Sequence, residues 1–327
     1  SSATLLYSTA AKNDDFTGPT AVRSMRPLTD GGALPPYFQM VSFYRFVPIE
    51  NPATTRDAVF ANTGAIDGLR GTCYVASEGI NAQFAIPVAS VEGDDVERSI
   101  KELEEALKSA LPFDPFAINA MNVGNLVEGT MPTFNRLVVR TRNAILRSGL
   151  EEMSLVDGST NVSSSAEGIK NFDWDDAGKE LTPEEWDADL RQADSASNDR
   201  KGILLDCRNS YESSVGTFKG AVPLDTDTFS ESWDILREKT NELDKTDPVY
   251  IFCTGGIRCV KVGAFLKQEL GFENVRRLEH GIIGYERWSE ISGEKRKEDD
   301  TREASLWEGE NFLFDKRRFA VSDSGSQ

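Results

Sequence analysis

Apolar positions in residues 40–142 recur with two different periods, and the change from one to the other marks the elements. Period-two alternation predicts strands at 40–47, 71–76, 81–86, 116–121 and 134–142. A helix is expected at 53–62. A second is expected at 91–110, where charges separate Ile100, Leu103 and Leu107 at helical spacing. The βαββαβ order predicts a ferredoxin-like α+β domain over residues 37–150. Its turn Glu78-Gly-Ile-Asn81 reads as a plain β-turn, with a ligand loop as the other reading.

Residues 181–293 alternate differently. Leu181-Thr-Pro-Glu-Glu-Trp186 has the signature of a helix start, with Thr182 as N-cap, Pro183 in the first turn and Glu185 three residues on from the cap. Short β-rich runs at 202–206, 220–223, 249–252 and 274–278 alternate with helical runs at 229–243, 260–270 and 282–289. This predicts an α/β domain whose mostly parallel sheet is covered on both faces. Ligands of such sheets sit beyond the carboxyl ends of the strands, which brings Asp206 and Cys253 to one crevice. Residues 1–36 read as a disordered leader, 151–180 as an acidic linker or surface insertion, and 294–327 as an extended tail whose aromatics dock on a domain.

Length and composition narrow this picture. A chain of 327 residues, 39% hydrophobic, accommodates two globular units with appendages, and no apolar run is long enough for a membrane span. Four cysteines without paired Cys-x-x-Cys spacing fit a reducing, intracellular compartment better than a disulfide or zinc framework. The start at Ser1 leaves the cytoplasm and an organelle such as plastid or mitochondrion both open. One histidine, His280, excludes a multi-histidine metal site; no Ser-His-Asp constellation is apparent around it, and no flavin or nicotinamide glycine motif is present. The net charge of −18 argues against wholesale coating of nucleic acid. It is unevenly spread, with fourteen acidic residues against four basic ones between 151 and 200. By contrast, Arg136, Arg140, Arg142 and Arg147 occupy a stretch without any acid. Arg136, Arg140 and Arg142 alternate, so they share one face of a strand, where they are candidates for phosphate contact.

The chemistry concentrates in Val249-Tyr-Ile-Phe-Cys253-Thr254-Gly255-Gly256-Ile257-Arg258. A buried strand, a cysteine, two glycines and an arginine opening a helix make an anion cradle, expected to favour thiolate at Cys253. Arg258 follows Cys253 by five positions, one fewer than in the Cys-x5-Arg loop of tyrosine phosphatases; this tighter cradle suits a sulfur atom carried on the cysteine. Cys259 is either a thiol able to resolve an oxidised Cys253 or a cysteine packed against the sheet; Cys73 and Cys207 read as small core residues.

The loop, with Asp206-Cys-Arg208, Glu212 and Gly220-Ala221, resembles the rhodanese domain, in which Asp206, Arg208 and Glu212 would be the polar frame of the loop. Tyr44-Arg-Phe-Val-Pro48, Glu78-Gly-Ile-Asn81, Met131-Pro132, Leu205-Asp-Cys-Arg-Asn-Ser-Tyr-Glu212, the cysteine loop through Cys259, Leu278-Glu279, and Trp307-x-Gly with Phe312-x-Phe-Asp315 extend the match. Their order resembles the bacterial tRNA uridine hydroxylase family, also filed as rhodanese-domain UPF0176 or YceA-like proteins. The resemblance implies oxygen-dependent hydroxylation of the wobble uridine, position 34 of tRNA, to 5-hydroxyuridine, with Cys253 essential, tRNA as partner and molecular oxygen as co-substrate. No further cofactor and no metal is evident. Thiolate addition at uridine C6 would make C5 open to an oxygen electrophile; a persulfide or sulfenate on Cys253 is the other route. A sulfurtransferase or persulfide carrier is the alternative function. The chain departs from the family at His280, usually glycine, at Cys207, commonly valine, and at Gln83 and Phe84, which stand where Gly-Thr is usual.

Overall fold

The computed structural model describes residues 21–23, 35–130, 133–150, 172–195, 202–294 and 305–312. Met131-Pro132, Phe314-Asp315 and most of the predicted leader, acidic linker and tail lie outside the described residues.

The N-terminal unit is a six-stranded sheet with helices on one face. Its elements are β1 (Ala21–Arg23), β2 (Tyr37–Phe46), α1 (Pro52–Thr63), β3 (Arg70–Ala76), β4 (Gly79–Val88), α2 (Gly93–Ala110), β5 (Asn122–Glu128) and β6 (Leu137–Thr141). The spatial order is β1-β6-β3-β4-β2-β5. The strands β3-β4-β2-β5 form the ferredoxin-like arrangement, and β6 adds to β3 in parallel. Alternation decides the faces: Val41, Phe43, Cys73, Val75, Ile80, Ala82, Phe84, Ile86, Leu137 and Val139 form a core with Leu103 and Leu107 of α2. The opposite face carries Ser42, Tyr44, Tyr74, Asn81, Gln83 and Arg140, with Arg140, Tyr74, Asn81 and Tyr44 in one row across neighbouring strands.

The expected strand at 116–121 is displaced to Asn122–Glu128. Phe116 is spent on the core, edge-on to Phe43 at 5.3 Å between centroids, so its apolarity marks packing and not a strand. Ser77 and Glu78 form the two-residue turn between β3 and β4, and Gly79, Ile80 and Asn81 of the expected turn belong to β4. Within the predicted leader, β1 pairs antiparallel with β6, Ala21 opposite Arg140.

The second unit holds five strands, all parallel, in the order β10-β8-β11-β12-β7. They are β7 (Lys179–Leu181), β8 (Ile203–Asp206), β10 (Val222–Pro223), β11 (Val249–Phe252) and β12 (Val275–Leu278). Around them lie α3 (Pro183–Ser195), α4 (Ser210–Ser213), α5 (Ser232–Lys239), α6 (Ile257–Ala264) and α7 (Gly281–Glu294). Thr182 starts α3 as expected: its Oγ1 accepts from Glu185 N at 3.2 Å while the Glu185 carboxylate accepts from Thr182 N at 3.0 Å. The stretch expected to be a solvated linker folds from Phe172 onward. Phe172 stacks on Trp174, Trp174 packs on Phe46 of the first sheet at 5.4 Å, and Lys179–Leu181 becomes an edge strand. The acids hid two anchoring aromatics. The tail residues Trp307–Gly309 form β13, paired antiparallel with β9 (Gly216–Phe218), and Trp307 and Phe312 rest on Phe218 and Tyr211. Among the described residues no helix is long and apolar enough to cross a membrane.

The open face of the first sheet rests on the carboxyl ends of the second. A buried lysine joins them: Lys261 of α6, 0% exposed, pairs with Glu78 at 3.1 Å and donates to Leu146 O at 2.9 Å. The same Glu78 accepts from Ile145 N at 2.8 Å.

Candidate active site

Phe252 of β11 and Asp206 of β8 are paired neighbours, so Cys253 and Cys207 leave adjacent parallel strands at the same end of the sheet. The loop then reverses through Gly256 at φ +91°, a conformation open to glycine, and its amide donates to Cys253 Sγ at 3.2 Å. A side-chain carbon at Gly256 would stand 2.9 Å from Tyr44 Oη, so the first domain closes directly over the loop. On the other side α7 is seated on the loop, with Ile282 N donating to Cys253 O at 3.0 Å and Ile283 N to Thr254 O at 3.2 Å. Gly281 is required there: any Cβ would lie 2.3 Å from Cys253 O.

The polar frame surrounds this core. Arg258 meets Glu212 through two bonds of 2.7 Å, and Glu212 also accepts from Thr254 Oγ1 at 3.0 Å and from Asn209 N at 3.1 Å. Burial alone would raise the Glu212 carboxyl; the Arg258 charge and its hydrogen bonds override this and hold it below the usual range. Asp206 receives Arg208 bidentately, at 2.8 and 2.6 Å, and Thr217 Oγ1 at 2.9 Å. Glu212 therefore braces the loop directly, and Asp206 and Arg208, like it 0% exposed, hold its surroundings, Arg208 donating to Glu212 O and Gly216 O.

The expectation of a thiolate at Cys253 is corrected. Cys253 is 0% exposed, and burial together with the Cys259 thiol pushes it well above the ordinary cysteine range; Arg258, committed to Glu212, pulls the other way and does not offset them. Cys259 is also buried and raised, by burial and by Cys207, so Cys207, Cys259 and Cys253 form a run of interacting thiols. Cys259 packs in the core of the second unit, as the reading of it as a cysteine packed against the sheet has it.

Between the loop and the first sheet lies a cavity of about 320 Å³. Cys253, Thr254, Gly255, Ile257, Arg258 and Glu212 line one wall. Tyr44, Asn81, Gln83 and Asn122 of the first sheet line the other, and His280, Glu286 and Asn311 close the end. Of these, the sequence motifs single out Asn81, Gln83 and His280; the roles of Glu286 and Asn311 carried no local signal. Arg140 of β6 and Arg142 just after it lie on the face that carries Tyr74, while Arg136 stands in a bend before the strand; none of the three lines the cavity, nor does Arg147 on the segment that follows. Arg142 lies over the Tyr74 ring at 5.3 Å. Among the described residues no cluster of His, Cys, Asp and Glu has metal-holding geometry.

A cysteine at a glycine loop ending the central strand of a parallel sheet, roofed by a ferredoxin-like domain, defines a two-domain rhodanese-type enzyme. Residues 38–145 match the family described as UPF0176 acylphosphatase like domain, and residues 189–289 match the rhodanese-like domain. The chain is similar to the tRNA uridine(34) hydroxylase of Legionella pneumophila (strain Corby), 32% identical over 279 residues covering 85% of this chain and 88% of that protein. It is 30% identical over 280 residues to the enzyme of the same name from Escherichia fergusonii, covering 85% of this chain and 65% of the relative. The rhodanese-like domain from an Anabaena protein, 17% identical, covers 38% of this chain and 89% of that chain at a TM-score of 0.27. The chain belongs to the tRNA uridine(34) hydroxylase family.

Proposed function

We propose that this chain hydroxylates C5 of uridine 34 in tRNA, with molecular oxygen as co-substrate and Cys253 as the group that engages the pyrimidine. The observation that carries the reading is the cavity. It is at the small end of the roughly 300–1,000 Å³ range of ligand sites, a size for one nucleotide, with Cys253 on one wall and side-chain amides of the first domain on the other. Carboxamides offer both donors and acceptors to a base edge. Addition of the Cys253 sulfur at C6 would make C5 enolate-like and open to oxygen. Transfer of one oxygen atom to C5 consumes two electrons and two protons from an external reductant, which take the other oxygen atom to water, and loss of the C5 proton as Cys253 leaves C6 restores the ring. Arg140 and Arg142, on the sheet face that also supplies the cavity wall, are suited to phosphates flanking that nucleotide, with Arg136 exposed before the same strand.

Nucleoside mass spectrometry of tRNA from a strain lacking the gene tests this. Wild-type protein is expected to restore 5-hydroxyuridine-type wobble nucleosides and Cys253→Ser to leave them absent; full restoration by Cys253→Ser would overturn the role of the cysteine. A second reading, a persulfide carrier, is favoured by the Gly256 amide on Cys253 Sγ. It predicts unchanged tRNA and sulfur transfer from thiosulfate to cyanide in vitro.

A further inference from the structure

Among the described residues, one buried side-chain acceptor lining the cavity has no hydrogen-bond partner: Oδ1 of Asn311, a residue 1% exposed. A buried polar atom left in this way calls for a ligand donor. The amide end of Asn311 is already fixed, because Nδ2 donates to Glu286 Oε2 at 2.9 Å. Other carboxamides of the cavity are anchored differently: Asn81, Asn119 and Asn122 direct Nδ2 to Ile145 O, Glu180 and His280 O respectively.

Glu286 stands one turn into α7, the helix whose first amides grip Cys253 and Thr254, so its carboxyl shares the cavity with the thiol. The charged and titratable groups around it are Arg208 at the end of β8, Glu290 one turn further along α7, and His280 and the Glu212–Arg258 pair in the cavity wall. Burial pushes the Glu286 carboxyl up to about 7, with Glu290 adding to the rise and Asn311 and Arg208 opposing it. With Oε2 occupied by Asn311, the proton belongs on Oε1.

We propose that Asn311 and Glu286 together read the imide edge of uracil, Asn311 Oδ1 accepting N3–H and the Glu286 carboxyl donating from Oε1 to O4. This rests on the reading of the cavity as a pyrimidine site and assigns its specificity. Cytosine presents the reverse pattern, a bare N3 toward Asn311 Oδ1 and an amino group in place of a carbonyl. Ionised Glu286 sets a negative oxygen against uracil O4, so preference for uridine is full below about pH 7 and weakens above it, where Asn311 alone still selects N3–H.

The test titrates the purified full chain with two anticodon stem-loop RNAs that differ only in uridine or cytidine at the wobble position. At about pH 6 the wild type is expected to favour uridine by roughly tenfold, the value of one good base-edge pair. That preference should shrink severalfold by about pH 8.5. Glu286→Gln, which keeps a donor and cannot ionise, should hold the preference flat across this range; Asn311→Ala should lower it severalfold at about pH 6. Equal affinity for the two RNAs at about pH 6, or an unchanged pH dependence in Glu286→Gln, overturns the proposal. Because binding is read without turnover, failure of the hydroxylation assay would overturn the reaction and leave this result standing. Hydroxylation without uridine preference would do the reverse.

Discussion

His280 holds φ at +57° immediately before Gly281 at +59°, and its backbone carbonyl accepts from Asn122 Nδ2 at 3.1 Å. The left-handed region costs a residue with a side chain about 1–2 kcal/mol, while glycine enters it freely at the expense of its greater unfolded-state entropy, about 0.5–1 kcal/mol. His280→Gly is therefore expected to be neutral or stabilising by up to about 1 kcal/mol in thermal unfolding, since the backbone bond is retained. A loss of stability would show that the imidazole itself is held by its surroundings.

At the scale of elements, the loop and its brace behave as one unit. Glu212 is 0% exposed and so depends on Arg258 for compensation; Glu212→Gln leaves a buried guanidinium without its counter-charge. Breaking such a pair costs about 3–5 kcal/mol, and urea unfolding is expected to show a loss of that order. The pH dependence follows from the depressed carboxyl. Its contribution is complete above the unfolded-state value of about 4.3, and fades as pH falls through the lower folded value. Acid unfolding of the wild type should therefore begin below about pH 4, and Glu212→Gln should show a shallower acid limb. Much of this unit was legible in sequence because Cys253, Gly256 and Arg258 lie within one turn and obey local rules. What was not legible depends on distant partners. The strand at Asn122–Glu128 has a weak alternation and is fixed by pairing with β2, while Asn311 meets Glu286 only because β13 returns to β9. The thiolate expectation failed for a related reason, since neither the burial of Cys253 nor the thiol of Cys259 against it is written in spacing.

For the whole molecule, the Glu78–Lys261 pair decides whether the domains act together. Lys261 looks like a solvated position on an amphipathic helix, yet it is 0% exposed because a residue 183 positions away supplies the counter-charge. Lys261→Met alone strands Glu78, which is 16% exposed, and should lower stability by a few kcal/mol. The double variant with Glu78→Leu should recover much of that loss, a coupling that a double-mutant cycle in thermal unfolding would measure. Additive losses would mean that the pair is not a joint. The same scale governs RNA binding. Arg140→Gln and Arg142→Gln, on the open face, are each expected to weaken tRNA binding uniformly across sequences and to reduce the salt slope by about one. Unchanged slopes would remove that face from the RNA path.

The buried lysine also bears on which molecule must deform. A hinge that opened the cavity would have to separate Lys261 from Glu78, from Leu146 O and from its place over the Trp174 ring at 5.2 Å. The slot is accordingly preformed and rigid, and the conformational work falls on the anticodon loop. The loop has to unstack its wobble nucleotide and swing it inward, at a few kcal/mol per base. RNAs whose wobble nucleotide is already poorly stacked would then be the faster substrates, and discrimination among tRNAs would be written in the dynamics of their loops as well as in contacts with the protein.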